Sequence, residues 1–178
     1  MKRLIGEKVV LRPLVKKDLP NFVEWLNDPE IAIFLESRRR LTMKDELQWL
    51  ESTHREVKKR KKVLFAIADR RSGQTIGNCE LRNINALDKT AELAILIGDK
   101  NYWGKGFGSK AIKLLLEFGF SKLNLHRIWL TVHAFNKRAR KAYEKAGFRK
   151  EGVLREHVLK EGKYFDSILM GLLSREFQ

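Results

Sequence analysis

A chain of 178 residues with 43% hydrophobic and 33% charged side chains is long enough to bury one full core and too apolar to be disordered. Its net charge of +15 attracts polyanions and repels small polycations. A single cysteine, Cys79, excludes an internal disulfide and an all-cysteine metal cluster.

No apolar run reaches the ~20 residues of a membrane span. The amino end, Met1 to Glu7, turns polar too quickly for a signal peptide, which points to the cytoplasm. Lys8 to Arg12 reads as a short strand that Pro13 ends. Asp18 is placed to cap a helix with Pro20 in its first turn, and Leu19, Phe22, Val23 and Leu26 fall on one face. Asn27-Asp28-Pro29 stops it. Thr42 and Asp45 have the spacing of a capping box for a second helix, whose far end, Arg55 with Lys58 to Lys62, is strongly basic. That block and Arg38-Arg39-Arg40 contain no aromatics for base stacking, so a solvated helix face is preferred to a nucleic-acid surface.

From Val63 the period changes to that of strands. Val63 to Ala68 and Thr75 to Arg82 form a hairpin around Arg71-Ser72-Gly73, with Cys79 as a small buried strand residue. Ala91 to Ile97 is a near-continuous apolar run whose one charge is Glu92, the pattern of a strand covered on both faces. A helix follows from Phe107 to about Gly119, then a strand from Arg127 to His133. A helix from Asn136 to Ala146 stops at Gly147, and two strands, about 148–154 and 164–173, close the chain. This alternation, with an antiparallel amino half, predicts a single mixed α/β domain over residues 1–178.

Between the apolar run and its helix lies Tyr102-Trp103-Gly104-Lys105-Gly106-Phe107-Gly108-Ser109. Alternate glycines admit positive φ and close approach of a ligand, and the free N–H groups of a first helical turn favour phosphate. A Walker loop is excluded because Asp99 stands where its first glycine belongs, and a dinucleotide fingerprint because Ser109 replaces its third. A phosphate-bearing ligand other than NAD or a Walker-bound nucleotide is therefore expected.

Glu92 with Ile95-Leu96-Ile97, the glycine stretch, and Asn136 with Tyr143-Glu144-Lys145-Ala146-Gly147-Phe148 together resemble the GNAT superfamily of N-acetyltransferases in order and spacing. Val10 to Leu14, Asn27-Asp28-Pro29, Leu125 to Ile128 and Gly162 to Asp166 are similar to its ribosomal-protein N-terminal and spermidine acetyltransferase groups. The resemblance implies a mostly antiparallel sheet of about seven strands, splayed in the middle and flanked by about four helices. It also implies acetyl-CoA as co-substrate, its diphosphate on the amides of Gly104, Lys105, Gly106, Phe107, Gly108 and Ser109 and its pantetheine arm along Ile95, Leu96 and Ile97. Trp103 stands where the family usually has Gln or Arg and cannot supply their side-chain donors. Asn136 is expected both to cap its helix and to touch the cofactor.

Attack on a thioester needs a neutral amine, so a base must act on a Lys-like group near pKa 10; Glu92 occupies the family's base position. The leaving thiolate needs a proton, which the phenol of Tyr143, two turns from Asn136 on one helix face, is suited to give. The oxyanion would meet a backbone N–H near Leu96. His133 and His126 read as structural, and no His/Asp/Glu spacing suggests a metal. The resemblance assigns the acceptor wall to Trp25, Asn27, Ile33, Phe34, Leu35, Glu36 and Arg38 to Arg40. Three arginines after Glu36, and the charge of +15, favour a protein or peptide amino terminus, on an acidic or RNA-associated partner, over a polyamine. An aminosugar nucleotide is the small-molecule rival, and a silent CoA-binding or RNA-binding module the alternative of another class. Related enzymes are often homodimers.

Overall fold

The computed structural model describes residues 2–35 and 39–177. Eight strands among them form one sheet: β1 (Leu4–Ile5), β2 (Val9–Arg12), β3 (Val63–Asp69), β4 (Thr75–Asn85), β5 (Thr90–Ile97), β6 (Arg127–His133), β7 (Arg149–Lys160) and β8 (Lys163–Leu173). Their order is β1-β2-β3-β4-β5-β6-β8-β7. The helices are α1 (Leu19–Asn27), α2 (Pro29–Ala32), α3 (Met43–Lys58), α4 (Phe107–Ser121) and α5 (Lys137–Lys145). The strand beyond the expected seven is β1, whose two residues are too few to display a period; it pairs Leu4 with Leu11 and Ile5 with Val10. The extra helix is α2, a single turn that Asp28 caps by accepting from the Glu30 N–H at 2.9 Å.

Both faces of the central strands are covered. Phe65, Ile67, Cys79, Leu81 and Leu93 pack with Ala111, Ile112, Leu115 and Leu116 of α4. On the opposite face Leu64 and Ala66 meet Leu19, Phe22 and Trp25 of α1 and Leu50 of α3. Cys79 is fully buried and burial pushes its thiol up, as its placement in an apolar strand implies for an inert thiol. The α3 capping box forms as its spacing predicts: Thr42 Oγ1 accepts from the Asp45 N–H at 3.3 Å and Asp45 Oδ2 from the Thr42 N–H at 2.8 Å.

Asp18 corrects the sequence reading. It makes no side-chain cap on α1; its carboxylate instead accepts from Arg12 at 2.6 and 2.9 Å, from Thr75 Oγ1 at 2.8 Å and from the Val15 N–H at 3.0 Å. Burial, the largest influence, would raise this carboxyl, but the donors together hold it below the ordinary range. A folded-state value below the unfolded one stabilises the fold above the unfolded pKa, ~3.9, and that contribution is lost as pH falls through the folded value. Asp18→Ala strands a half-buried guanidinium and should cost about 3 kcal/mol at pH 7. Urea unfolding at pH 7 and pH 3 checks this, since the gap between variant and wild type should narrow in acid.

One seam differs from the rest. Strands β5 and β6 are parallel, as a crossover through α4 requires, and pair over three rungs: Thr90 with Arg127, Ala91 with Ile128, Glu92 with Trp129. Beyond Glu92, β5 continues on β4 to the Ile97 and Gly77 rung, and β6 continues on β8 to the His133 and Ser167 rung. The sheet is split there, as the resemblance implies.

Candidate active site

The split exposes main-chain groups. The Gly98 N–H bonds Ile76 O at 2.9 Å, and Leu96 O lies 2.0 Å from where a Cβ on Gly77 would sit. Alternation along an antiparallel ladder then turns the polar groups of Leu96 toward β4 and those of Ile95 and Ile97 toward the gap. The N–H of Leu96 itself is thus spent in the ladder, and its neighbours Ile95 and Ile97 supply the N–H groups that face the opening. This follows from ladder parity, which an apolar run does not reveal.

Below the gap, α4 starts where the glycine spacing puts it. Gly104 (φ 72°) and Gly106 (φ 82°) hold left-handed conformations, and Gly106 is the residue before the first helical turn. A Cβ on either would meet nothing within 4 Å, so the loop borders open space. The first-turn N–H groups of this 15-residue helix have no acceptor four residues back and sit at the positive end of its dipole, which suits a diphosphate. The loop is braced by the Phe107 ring, edge-on to Tyr102 at 4.8 Å and under Lys8 Nζ at 5.7 Å. Lys8 also donates to Lys105 O at 3.3 Å. Trp103 turns back to the gap and donates its Nε1–H to Ile97 O at 2.7 Å.

Glu92 is 6% exposed and its side chain points to the α1 and α3 face. Arg82, directly opposite on β4, donates to Oε1 at 2.5 Å, and Asn83 donates to Oε2 at 2.9 Å. Arg82 also lies 3.9 Å from Glu80, which Lys62 approaches at 3.1 Å. The carboxylate is therefore oriented by two donors. Tyr143 is 7% exposed on the other face, in the cluster that holds Ile95 and Ile97, edge-on to Phe148 at 5.9 Å. Burial pushes its phenol up to about 12, so it carries its proton at neutral pH. Glu92 and Tyr143 thus approach the split from opposite sides. Asn136 caps α5, its Oδ1 accepting from the Ala139 N–H at 3.1 Å.

The acceptor wall divides. Trp25 is a core residue, edge-on to Phe22 at 5.2 Å and packed so closely on Gly98 that a Cβ there would lie 2.1 Å from its ring. Asn27 is anchored while it lines a depression beside α2: its amide donates to Val23 O and Leu41 O at 2.7 and 2.8 Å, and its oxygen accepts from the Leu41 N–H at 2.8 Å. Leu35 contributes its carbonyl to Lys160 of the β7–β8 hairpin. Phe34 lies tilted 5.9 Å from Phe135, and Phe135 is tilted against His133 at 5.3 Å and edge-on to Phe165 at 4.9 Å. Glu36 and Arg38 lie outside the described residues. His133 Nδ1 is 3.5 Å from Ser167 Oγ. Among the described residues no group of His, Cys, Asp or Glu could hold a metal, and no helix is long and apolar enough to cross a membrane. Arg82, Asn83, Phe135 and Arg138 escaped the sequence reading; only the hairpin register, which sets Arg82 against Glu92, could have found any of them.

A family model described as an acetyltransferase (GNAT) domain matches residues 8–149. The spermidine N(1)-acetyltransferase of Vibrio cholerae is 31% identical over 97% of both chains. A crystal structure of spermidine N-acetyltransferase from that organism, in complex with CoA and spermine, superposes with a TM-score of 0.85 at 29% identity, covering 95% of this chain and 97% of that one. The ribosomal-protein-S5-alanine acetyltransferase of Vibrio fischeri shares the fold, with a TM-score of 0.87 at 21% identity over the whole of both chains.

Proposed function

Because the chain belongs to the GNAT acetyltransferase domain family, we propose that its single domain moves an acetyl group from acetyl-CoA to a primary amine at a protein or peptide amino terminus. The observation that carries the transfer chemistry is the split after the Glu92 and Trp129 rung, lined by main-chain groups and flanked by a carboxylate and a phenol. The glycine-bordered start of α4 fits a diphosphate, and the amides of Ile95 and Ile97 fit an arm that pairs like an added strand. Acetyl-CoA supplies an activated thioester. Glu92, held by Arg82 and Asn83, takes a proton from the acceptor ammonium directly or through a water. A gap-facing N–H of Ile95 or Ile97 stabilises the charge that develops on the carbonyl oxygen. Tyr143 gives its proton to the departing sulfur.

The preference for a polypeptide acceptor rests on charge. Lys62 and Arg82 neutralise Glu80 and Glu92, and a depression of about 730 Å³ between α2 and the β7–β8 turn is lined by Arg39, Arg40 and Lys160 against Glu161. The basic end of α3 supports an acidic or RNA-associated acceptor protein. One observation favours a polyamine instead. Glu46 on α3 is 5% exposed, burial raises its carboxyl, and no cation pairs with it among the described residues. It borders a depression of about 660 Å³ with Trp49, Asp45 and Glu51, which would offer an alkylammonium three carboxylates against Arg55 and an Arg39 already paired with Asp45. A thiol-release assay with acetyl-CoA against amino-terminal peptides, spermidine and aminosugar nucleotides decides. The expected result is a kcat/KM at least 10-fold higher for a peptide; a spermidine preference of that size would overturn the acceptor assignment.

A further inference from the structure

The face of the sheet that carries Glu92 carries a second buried carboxylate. Leu64 on β3 stands opposite Glu80 on β4, Glu80 stands opposite Ala94 on β5, and Arg82, two residues on, stands opposite Glu92. Opposed residues share a face and a strand alternates, so Leu64, which packs toward α1 and α3, places Glu80, Arg82 and Glu92 on that side. Lys62, just before β3, joins them with its Nζ 3.1 Å from Glu80 Oε2. The Arg82 guanidinium lies between the carboxylates, 2.5 Å from Glu92 Oε1 and 3.9 Å from Glu80 Oε1. The side chains of Glu80 and Glu92 are 9% and 8% exposed and that of Lys62 17%, so these are not freely solvated surface charges.

The two cations differ in consequence. Arg82 orients the carboxylate assigned to the acceptor's proton. Lys62 pairs with Glu80, the diagonal neighbour of Glu92 across the strand pair, at a spacing of about 7 to 8 Å. Two carboxylates so placed on one face suit an alkyl diamine, with the reacting amine at Glu92 and the other ammonium at Glu80. Lys62 Nζ is itself a primary alkylammonium, and it fills that second place from within the chain. A further ammonium there would meet a like charge where water screens it poorly.

We infer that Lys62 is a specificity-determining residue: by occupying Glu80 it denies a diamine its second contact and keeps the site for acceptors that bring a single ammonium. This rests on the acetyl-transfer reading and deepens it, since an amino terminus presents one ammonium there and a polyamine presents several. A charge-assisted contact of the kind that Glu80 would otherwise make corresponds to about 10- to 100-fold in affinity.

Putrescine and butylamine, a diamine and a monoamine on the same carbon chain, isolate that contact. In wild type the second amine should bring no advantage in kcat/KM with acetyl-CoA. Lys62→Met, which keeps an apolar stem and removes the charge, should raise the putrescine to butylamine ratio about 10-fold or more. Lys62→Arg, which keeps the charge, should leave the ratio as in wild type, and Glu80→Gln added to Lys62→Met should abolish the gain. Thermal unfolding of the CoA-loaded proteins reads the same contact without turnover, and does so even in a variant of lowered stability. Putrescine should raise the midpoint of Lys62→Met more than that of wild type, and this excess should vanish in the double variant. A ratio unchanged in Lys62→Met, or a gain that persists without the Glu80 carboxylate, overturns the proposal. Absence of thiol release with every amine and peptide in wild type would instead remove the acetyl-transfer reading, and the unfolding arm would still decide whether Lys62 shields Glu80 from a diamine.

Discussion

Glu92→Gln is expected to lower kcat on the order of 1000-fold at pH 7 while acetyl-CoA binds as tightly as before. Glutamine keeps the size of the side chain and an oxygen for Arg82, but its amide accepts no proton from an ammonium. The acceptor must then arrive already neutral. With an amine near pKa 10, that fraction grows about tenfold per pH unit, so the variant's rate should climb with pH and approach that of wild type in alkali. A pH–rate profile of both proteins on the same acceptor separates the base role from a merely structural one. A carboxylate that only braced Arg82 would leave a deficit of constant size across pH. Thermal unfolding of the variant guards against a trivial loss, since Arg82 loses a charged partner buried on β5.

Tyr143→Phe is expected to reduce kcat on the order of 100-fold with little change in acetyl-CoA affinity. Phenylalanine preserves the edge-on contact with Phe148 and the packing against Ile95 and Ile97 and removes the hydroxyl alone. Burial holds the phenol protonated up to about 12, whereas an ordinary phenol titrates near 10. Wild type should consequently show no loss of kcat between pH 8 and 10 from this group. A wild-type rate in Tyr143→Phe would take Tyr143 out of the proton path, whereas a decline centred near pH 10 that vanishes in the variant would keep it there and overturn only the upward push from burial.

Much of this was legible beforehand because periodicity and turn chemistry are local. Arg127 to His133 and the start of α4 coincide with their sequence limits because a buried strand and a glycine-initiated helix each announce themselves within a few residues. Asp18 was misread for the same reason: its position fits a cap, but its partner Thr75 lies 57 residues away. Asn27 lines the depression beside α2, but its anchoring by Leu41, fourteen positions on, was equally beyond local spacing. At the site, the carboxylate, phenol and glycines carried recognisable spacing. Arg82 and Arg138 did not, because their meaning depends on cross-strand register and on a stack between α5 and the residue before the glycine loop.

The split also has a consequence for association between chains. An unpaired strand margin ordinarily invites a stranger polypeptide to zip on, and here such a margin runs through the middle of the molecule. It is floored by α4 and α5 and roofed where Trp103, Arg138 and Phe34 meet. A peptide strand carries side chains on both faces, and on this margin one of those rows would have to pass α4 and α5. The same cover that leaves the main-chain groups of Ile95 and Ile97 facing the gap thereby discourages strand-to-strand aggregation at the centre of the fold.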